Sequence, residues 1–202
     1  MEISKIYNND ISCKYCPVCK NKTEIFDSIE FNKSCEEING KYLSYTGQFI
    51  DYYICENCEF CFAPEFFQWN KKDFEEKIYN KDYIFVDPEY KEIRSKRNAN
   101  LLLQLLKNSE KYIKHLDYGG GNGTLSKILN ENGICSTAYD PYAIDNLLFG
   151  EKYNLLTAFE VFEHVNDIEL LFYNLTNLLS DDGCVIFSTA LNDDHLSNNN
   201  NL

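Results

Sequence analysis

The feature that most constrains the fold is a glycine-rich turn between an apolar run and a helical pattern. The apolar run covers residues 112–116 and the helical pattern covers residues 124–130. Between them, the sequence LDYGGGNG places one aspartate and three glycines on alternate positions: Asp117, Gly119, Gly121 and Gly123. This order predicts a strand that turns sharply into a helix. Glycine permits the turn and the close approach of a ligand because it has no Cβ, and N–H groups at a helix start can face an anionic ligand group.

A second strand-like run, residues 135–139, follows and ends in Asp140-Pro141. Asp140 lies near the ~20-residue offset at which dinucleotide-type folds place a ribose-binding carboxylate. A carboxylate can accept hydrogen bonds from both ribose hydroxyls, so Asp140 is the predicted ribose ligand. The alternative is a turn cap before Pro141. The turn and this acid together predict a site for a nucleotide-like ligand.

The alternation of strands and helices through residues 114–191 predicts an α/β fold with a mostly parallel sheet and helical crossovers. Amphipathic patterns predict helices over residues 99–113 and about 166–180. Phe159 and Glu160 end a strand-like run and should line the ligand crevice at the carboxyl edge of the sheet. The chain between Asp140 and that run is too short for a helical crossover and a further strand.

Two C-x-x-C pairs stand in the N-terminal part of the chain, where most of the nine cysteines lie. Two thiolates at this spacing can hold adjacent corners of a tetrahedral zinc site, so the pairs predict a closed structural site with four ligands: Cys16, Cys19, Cys55 and Cys58. Cys13 and Cys61 extend the pairs and are rival ligands. Free buried cysteines or a redox pair remain alternatives.

The net charge of −13 disfavours a nucleic-acid partner, because phosphate backbones are bound mainly through lysine and arginine. No apolar run has the length of a transmembrane helix, and residues 1–14 hold no signal-peptide core. The sequence therefore predicts a cytoplasmic protein without membrane insertion. In that compartment, metal ligation is favoured over disulfides for the cysteines.

The LDYGGGNG turn resembles motif I of the class I S-adenosylmethionine-dependent methyltransferases. Residues 153–165, YNLLTAFEVFEHV, are similar to the fourth strand of that family and the turn after it, and residues 179–183, LSDDG, with the run 184–191 resemble its next turn and fifth strand. The N-terminal cysteines add a narrower similarity, to methyltransferases of sugar and surface-polysaccharide biosynthesis. The resemblance implies a Rossmann-like core, S-adenosylmethionine as methyl donor and a small-molecule or sugar-type acceptor.

Roles follow for the residues around the turn. Asp117 orients the turn and reaches toward the amino group of the methionyl part or, alternatively, only hydrogen-bonds the turn backbone, and Asp140 binds the ribose. Because the chain after Asp140 is short, the adenine is expected between Pro141 with Tyr142 and Phe159 with Glu160. The connector tyrosines, Tyr79, Tyr83 and Tyr90, are expected to close the site from above. Glu163 and His164 are the candidate catalytic residues, with His164 as a general base or, alternatively, as a helix cap.

Four units are expected along the chain: a zinc-binding module (1–66), a helical connector (67–97), an incomplete methyltransferase core (98–191) and a disordered tail (192–202). The family's last strands are missing after residue 191, so we expect a C-terminally truncated core. Its open sheet edge would be covered by a partner chain or an oligomer. Two alternative functions are a truncated, non-catalytic ligand-binding or scaffold protein, and an RNA methyltransferase, against which the negative charge weighs.

Overall fold

The computed structural model describes residues 15–32, 43–90, 92–141, 150–165 and 167–189. It contains a small antiparallel sheet near the N-terminus, a helical connector and a parallel sheet with helices. Cys13, Tyr142 and the predicted tail 192–202 lie outside the described residues.

The small sheet has three antiparallel strands in the order β1-β2-β3. They are β1 (Thr23–Glu30), β2 (Phe49–Cys55) and β3 (Cys61–Phe62). Aromatic residues are frequent in β2 and around β3, whereas β1 has no clear alternation that would mark it as a strand. The carboxylate of Glu30 at the end of β1 accepts hydrogen bonds from the amides of Thr46 and Gly47, which fixes the chain that enters β2.

An aromatic cluster joins the small sheet to the connector. The connector begins with a 3-10 helix (Pro64–Gln68) and continues with α1 (Lys71–Lys77) and α2 (Tyr83–Val86). The Trp69 ring lies 4.8 Å from the Phe66 ring and 5.3 Å from the Phe74 ring, both edge-on. Phe31, just after β1, reaches the same Trp69 ring at 6.0 Å. The expected boundary at residue 66 therefore falls inside a packed cluster.

Helix α3 (Ile93–Leu105) lies earlier in the chain than the predicted helix at 99–113. The polar stretch after Leu105 ends it, and Asn108 adopts a left-handed φ of 74° in the following turn. A short 3-10 helix (Glu110–Tyr112) then leads to the parallel sheet. Ala99 and Leu102 are fully buried against the helix that follows the glycine turn, so α3 packs on the parallel sheet.

The elements of the parallel-sheet region in chain order are β4 (Lys114–Tyr118), α4 (Thr124–Glu131), β5 (Cys135–Tyr139), β6 (Tyr153–Phe159), a 3-10 helix (Phe162–His164), α5 (Ile168–Leu178) and β7 (Leu179–Ser188). The strands lie in the order β5-β4-β6-β7, and every strand pair is parallel. One face buries a cluster under α5 and the other a cluster under α3 and α4. This arrangement confirms the predicted Rossmann-like α/β fold.

The start of β7 contains the predicted turn 179–183. Leu179 is the register partner of Tyr153, but Leu155 already pairs with Cys184, so residues 180–183 leave the ladder as a bulge. A Cβ on Gly183 would lie 2.7 Å from Leu179 Cδ1 and 3.0 Å from the Ser180 carbonyl oxygen, so the backbone folds back on itself at this glycine. Within the described residues β7 pairs with β6 alone, and no described helix has the length and apolarity to cross a membrane.

Candidate functional site

The glycine turn is tied to the neighbouring strand at the carboxyl edge of the sheet. The N–H groups of Gly119 and Gly120 donate to the carbonyl oxygen of Tyr139 at 2.8 and 3.1 Å. Gly119 has φ +76°, and a Cβ there would lie 2.5 Å from Val161 Cγ2. Gly119 is therefore required by packing inside the protein. The expectation that this glycine makes room for a ligand receives no support from its surroundings.

Among the glycines of the turn, Gly121 has the most open surroundings within the described part of the chain. It has φ +52°, and the described atom nearest to a Cβ added there would be Asp140 Oδ2, at 3.9 Å. Its N–H group donates to Asp140 Oδ2 at 2.9 Å. Asp140, which follows β5, is thus hydrogen-bonded to the glycine turn that follows β4. Gly123, with φ +74°, then starts α4.

Several acidic side chains lie at the carboxyl edge of the parallel sheet. Asp117 is 4% exposed, and burial, together with the Asp140 carboxylate, raises the pKa of Asp117 to about 6. Glu160 follows β6 with a left-handed φ of 53°, which is rare outside glycine. Its carboxylate accepts a hydrogen bond of 2.5 Å from Ser188 Oγ at the end of β7. The edge therefore suits a ligand that carries positive charge.

Glu163 and His164 lie on the 3-10 helix after β6. Glu163 has an exposed face, yet the protein atoms around its carboxyl group raise its pKa to about 7, and the nearby Glu160 carboxylate acts in the same direction. Burial lowers the pKa of His164, and the Glu160 carboxylate opposes that effect. The structure thus brings both candidate catalytic residues next to Glu160.

The three connector tyrosines form one cluster beside His164. The ring of Tyr83 meets the rings of Tyr79 and Tyr90 edge-on at 5.1 and 4.9 Å. Tyr79 also contacts the His164 ring edge-on, with centroids 5.9 Å apart. Burial raises the pKa of Tyr90, and the charges of Asp140 and Asp87 act in the same direction.

A buried ion pair next to the tyrosines was not predicted. Asp87 is 1% exposed, and its Oδ2 accepts a hydrogen bond of 3.0 Å from Arg94 at the start of α3. Both charges act on His164. The two residues stand in an irregular part of the sequence, and only the tertiary fold brings them together, so no local signal could have revealed them.

Two predicted adenine contacts have different surroundings. Pro141 is exposed directly after Asp140. Phe159 is partly buried and packs against the cluster under α3 and α4. Both residues stand at the carboxyl edge of the sheet.

The four predicted zinc ligands form one group. Their sulfur atoms all lie within 4.8 Å of one another, with separations of 3.4 Å for Cys19–Cys55, 3.5 Å for Cys19–Cys58 and 3.7 Å for Cys16–Cys58. Four sulfurs at Zn–S bonds of about 2.3 Å in a tetrahedron stand about 3.8 Å apart. The donor set and its spacing therefore fit zinc. Cys61 lies in β3, outside this group.

The two C-x-x-C segments fold into matching turns. In the first, Val18 N–H donates to Cys16 Sγ at 3.4 Å and Lys20 N–H donates to the Cys16 carbonyl at 3.0 Å. In the second, Asn57 N–H and Glu59 N–H make the same bonds to Cys55, at 3.4 and 3.0 Å. The residue after each pair is left-handed, with φ values of 61° and 58°. Amide donors to sulfur stabilise thiolates, which are the form that binds zinc.

The chain has detectable similarity to known proteins. Residues 90–201, more than half of the chain, match the model of a family described as a methyltransferase domain. No curated protein matches. Among solved structures, the chain is similar to coclaurine N-methyltransferase bound to N-methylheliamine and SAH, with 19% identity and a TM-score of 0.35. The match covers 45% of this chain and 34% of that one, so the chain spans about a third of its length.

Proposed function

The chain belongs to the methyltransferase domain family, and on this premise we propose that it transfers a methyl group from S-adenosylmethionine to a small-molecule acceptor. The observation that supports the proposal is the contact between the glycine turn and the acid after β5. Gly121 N–H and Asp140 Oδ2 meet at the carboxyl edge of a parallel sheet, where α/β folds bind their ligands.

The negative charge at the carboxyl edge of the sheet complements the positive groups of S-adenosylmethionine. S-adenosylmethionine carries a positive sulfonium and a positive amino group, and the edge presents Asp117, Asp140 and Glu160. In the proposed mode Asp140 binds the ribose hydroxyls and Asp117 lies toward the amino group. Gly121 leaves room for the ligand along the backbone. Pro141, Phe159 and Glu160 border the adenine end.

Methyl transfer requires alignment more than covalent work by the protein, because the sulfonium is already a good leaving group. The connector tyrosines beside His164 would exclude water from the acceptor side. Glu163, with a pKa of about 7, is suited to accept a proton from an acceptor near neutral pH. His164 lies beside it and would orient the acceptor or share that proton.

The proposed acceptor class depends on the net charge of the protein and on the resemblance of its cysteine module. The net charge of −13 disfavours a nucleic acid. A sugar-type acceptor is the finer proposal, and it rests on the resemblance of the cysteine module alone. Residues 1–66 would form that module, residues 67–97 the connector and residues 98–191 the donor-binding core.

We also propose that the four-cysteine group holds one structural zinc ion. Four thiolate ligands leave no open position for catalysis, so the ion would stabilise the two turns and the sheet they join. Lys20 in the first turn also pairs with Glu169 of α5 at 2.5 Å. This exposed ion pair is a contact between the module and the parallel-sheet domain.

The test is a transfer assay with methyl-labelled S-adenosylmethionine and a panel of hydroxylated and aminated small molecules, including nucleotide-linked sugars, read by mass spectrometry. Labelled product that requires an intact Asp140 would support the proposal. Binding of S-adenosylhomocysteine without transfer to any acceptor class would favour the non-catalytic alternative.

A further inference from the structure

A chain of buried hydrogen bonds crosses the parallel sheet beneath the glycine turn. It contains five side chains from four elements, none of them more than 9% exposed: Asp117, Thr157, His115, Ser136 and Ser126. Thr157 Oγ1 donates to Asp117 Oδ1 at 2.6 Å and also lies 2.9 Å from His115 Nε2. His115 Nδ1 lies 2.6 Å from Ser136 Oγ, which bonds Ser126 Oγ at 2.9 Å.

Strand geometry explains why this chain of hydrogen bonds ends at the proposed donor site. His115 and Asp117 are two positions apart on β4, so their side chains leave the same face. Thr157 is the register partner of Asp117 on β6, and Ser136 is the partner of His115 on β5. A Cβ on Gly120 would lie 2.8 Å from Asp117 Oδ2, so the turn covers the second carboxylate oxygen.

The donors and acceptors in this chain can be arranged in two ways. An ionised Asp117 can only accept, so Thr157 donates to it, and the Thr157 oxygen must accept from His115 Nε2–H. A neutral His115 then carries no proton on Nδ1 and accepts from Ser136. A protonated Asp117 can donate to Thr157, which then donates to Nε2, and Nδ1–H donates to Ser136.

We propose that His115 is a positioning residue that relays the protonation state of Asp117 through this chain by changing its tautomer. The change takes up one proton in total. Asp117 gains it, each hydroxyl keeps one proton, and the imidazole keeps one proton but holds it on the other nitrogen. With Asp117 ionised, all the hydrogen bonds point toward its carboxylate and fix a negative charge beneath the turn, where it attracts a cationic group of the ligand through space.

The electrostatic surroundings agree with this arrangement. Burial lowers the pKa of His115 to about 4, so the ring stays neutral while Asp117, with a pKa of about 6, changes charge. The charged group that acts on Asp117 is Asp140, beyond the end of β5, and it disfavours ionisation. Thr157 faces Asp117 from β6 and favours ionisation. Ser136 from β5 and Thr157 from β6 are the polar groups that contact the imidazole.

The relay can be tested in the ligand-free protein by nitrogen NMR of the imidazole rings from pH 7.5 to pH 5. The chain has three histidines, so His115→Gln identifies the signals of His115 by their loss. We expect a neutral Nε2–H ring at pH 7.5 and a neutral Nδ1–H ring at pH 5, with a midpoint near pH 6. An imidazolium at pH 7.5, or one tautomer over the whole range, would overturn the relay.

The functional consequence rests on the proposed function and is measured by titration with S-adenosylhomocysteine. Wild-type affinity should fall about tenfold from pH 7 to pH 5, because the ligand requires the charged Asp117. Thr157→Val should weaken binding by at least about tenfold at pH 7 and move the midpoint to higher pH, since the donor to the carboxylate is lost. Thr157→Ser keeps the hydroxyl and should restore the wild-type profile.

The two measurements separate the proposals. A tautomer change without S-adenosylhomocysteine binding at any pH would contradict the proposed donor and leave the proton relay standing. Binding with a fixed tautomer, or an unchanged midpoint in a folded Thr157→Val variant, would contradict the relay and leave the donor standing. The NMR measurement does not use Thr157→Val, so it decides the question even if that variant does not fold.

Discussion

The substitution Asp117→Asn should stabilise the protein at neutral pH although it removes a predicted ligand contact. The pKa of Asp117 rises from 3.8 to about 6 on folding, mainly because the group is buried. At about 1.4 kcal/mol per pKa unit, the charged form costs roughly 3 kcal/mol of folding free energy at pH 7. Asparagine avoids that cost and can still accept the hydrogen bond from Thr157. The variant should therefore gain up to about 3 kcal/mol at pH 7.

The pH dependence of stability gives the sharper form of this prediction. A raised folded pKa means that the Asp117 contribution is present below pH 4 and is lost as the pH rises through 6. His115 has the opposite sign, because its pKa falls from 6.5 to about 4, and its contribution is lost as the pH falls from 6.5 to 4. The two effects nearly cancel between pH 4 and 6 in the wild type. Asp117→Asn leaves only the His115 effect.

Urea unfolding at pH 7, 6 and 5 measures both quantities. The wild-type free energy of unfolding should vary little from these two groups, whereas Asp117→Asn should start higher and fall by roughly 1–2 kcal/mol by pH 5. The m-value should stay constant. A variant that is less stable than wild type at pH 7, or that follows the wild-type pH profile, would refute this account of the buried pair.

Three further predictions concern the metal, the ribose ligand and the proposed base. Protein purified without added metal should contain about one zinc per chain, which Cys16→Ser loses and Cys61→Ser keeps; the reverse pattern would show that the ligand set is wrong. Asp140→Ala should weaken S-adenosylhomocysteine binding by about 1–3 kcal/mol in calorimetry, whereas neutralising the exposed Glu131 should leave it unchanged. Turnover should rise with pH through about 7 and drop about 10²-fold or more in Glu163→Gln; a pH profile that survives this substitution would exclude Glu163 as the base.

The local parts of the fold could be predicted from the sequence. The glycine turn, α4 and β5 follow from residue patterns within one short segment, and β5 has the predicted bounds Cys135–Tyr139. The cysteine pairs also predicted a group that the structure brings together. In both cases the constraint is a spacing along the chain, and such spacings remain visible without the tertiary structure.

The parts that failed depend on tertiary packing. Helix α3 begins before the apolar pattern does, because its first turns are mostly polar and Arg94 there is held by the ion pair with the buried Asp87. Gly119 packs against Val161, a contact between two strand ends that no local pattern encodes, and its role toward a ligand stays a prediction. The sequence gives one indication that His115 belongs to the site: it lies two residues before Asp117 on the same strand. Its hydrogen-bond partners come from β5 and β6, and only the folded sheet brings them next to it.

The central claim is that the methyl donor lies on the glycine turn, and calorimetric titration with S-adenosylhomocysteine tests it through a matched pair of variants. Gly121→Ala adds a methyl group toward open space beside Asp140, and Gly133→Ala adds one at a similarly left-handed φ of +84°, with nothing within 4 Å, after α4. Both variants carry a similar backbone cost. We predict one site per chain, an affinity at least about tenfold weaker in Gly121→Ala, and wild-type affinity in Gly133→Ala. Equal affinities in a folded Gly121→Ala and the wild type would contradict the claim.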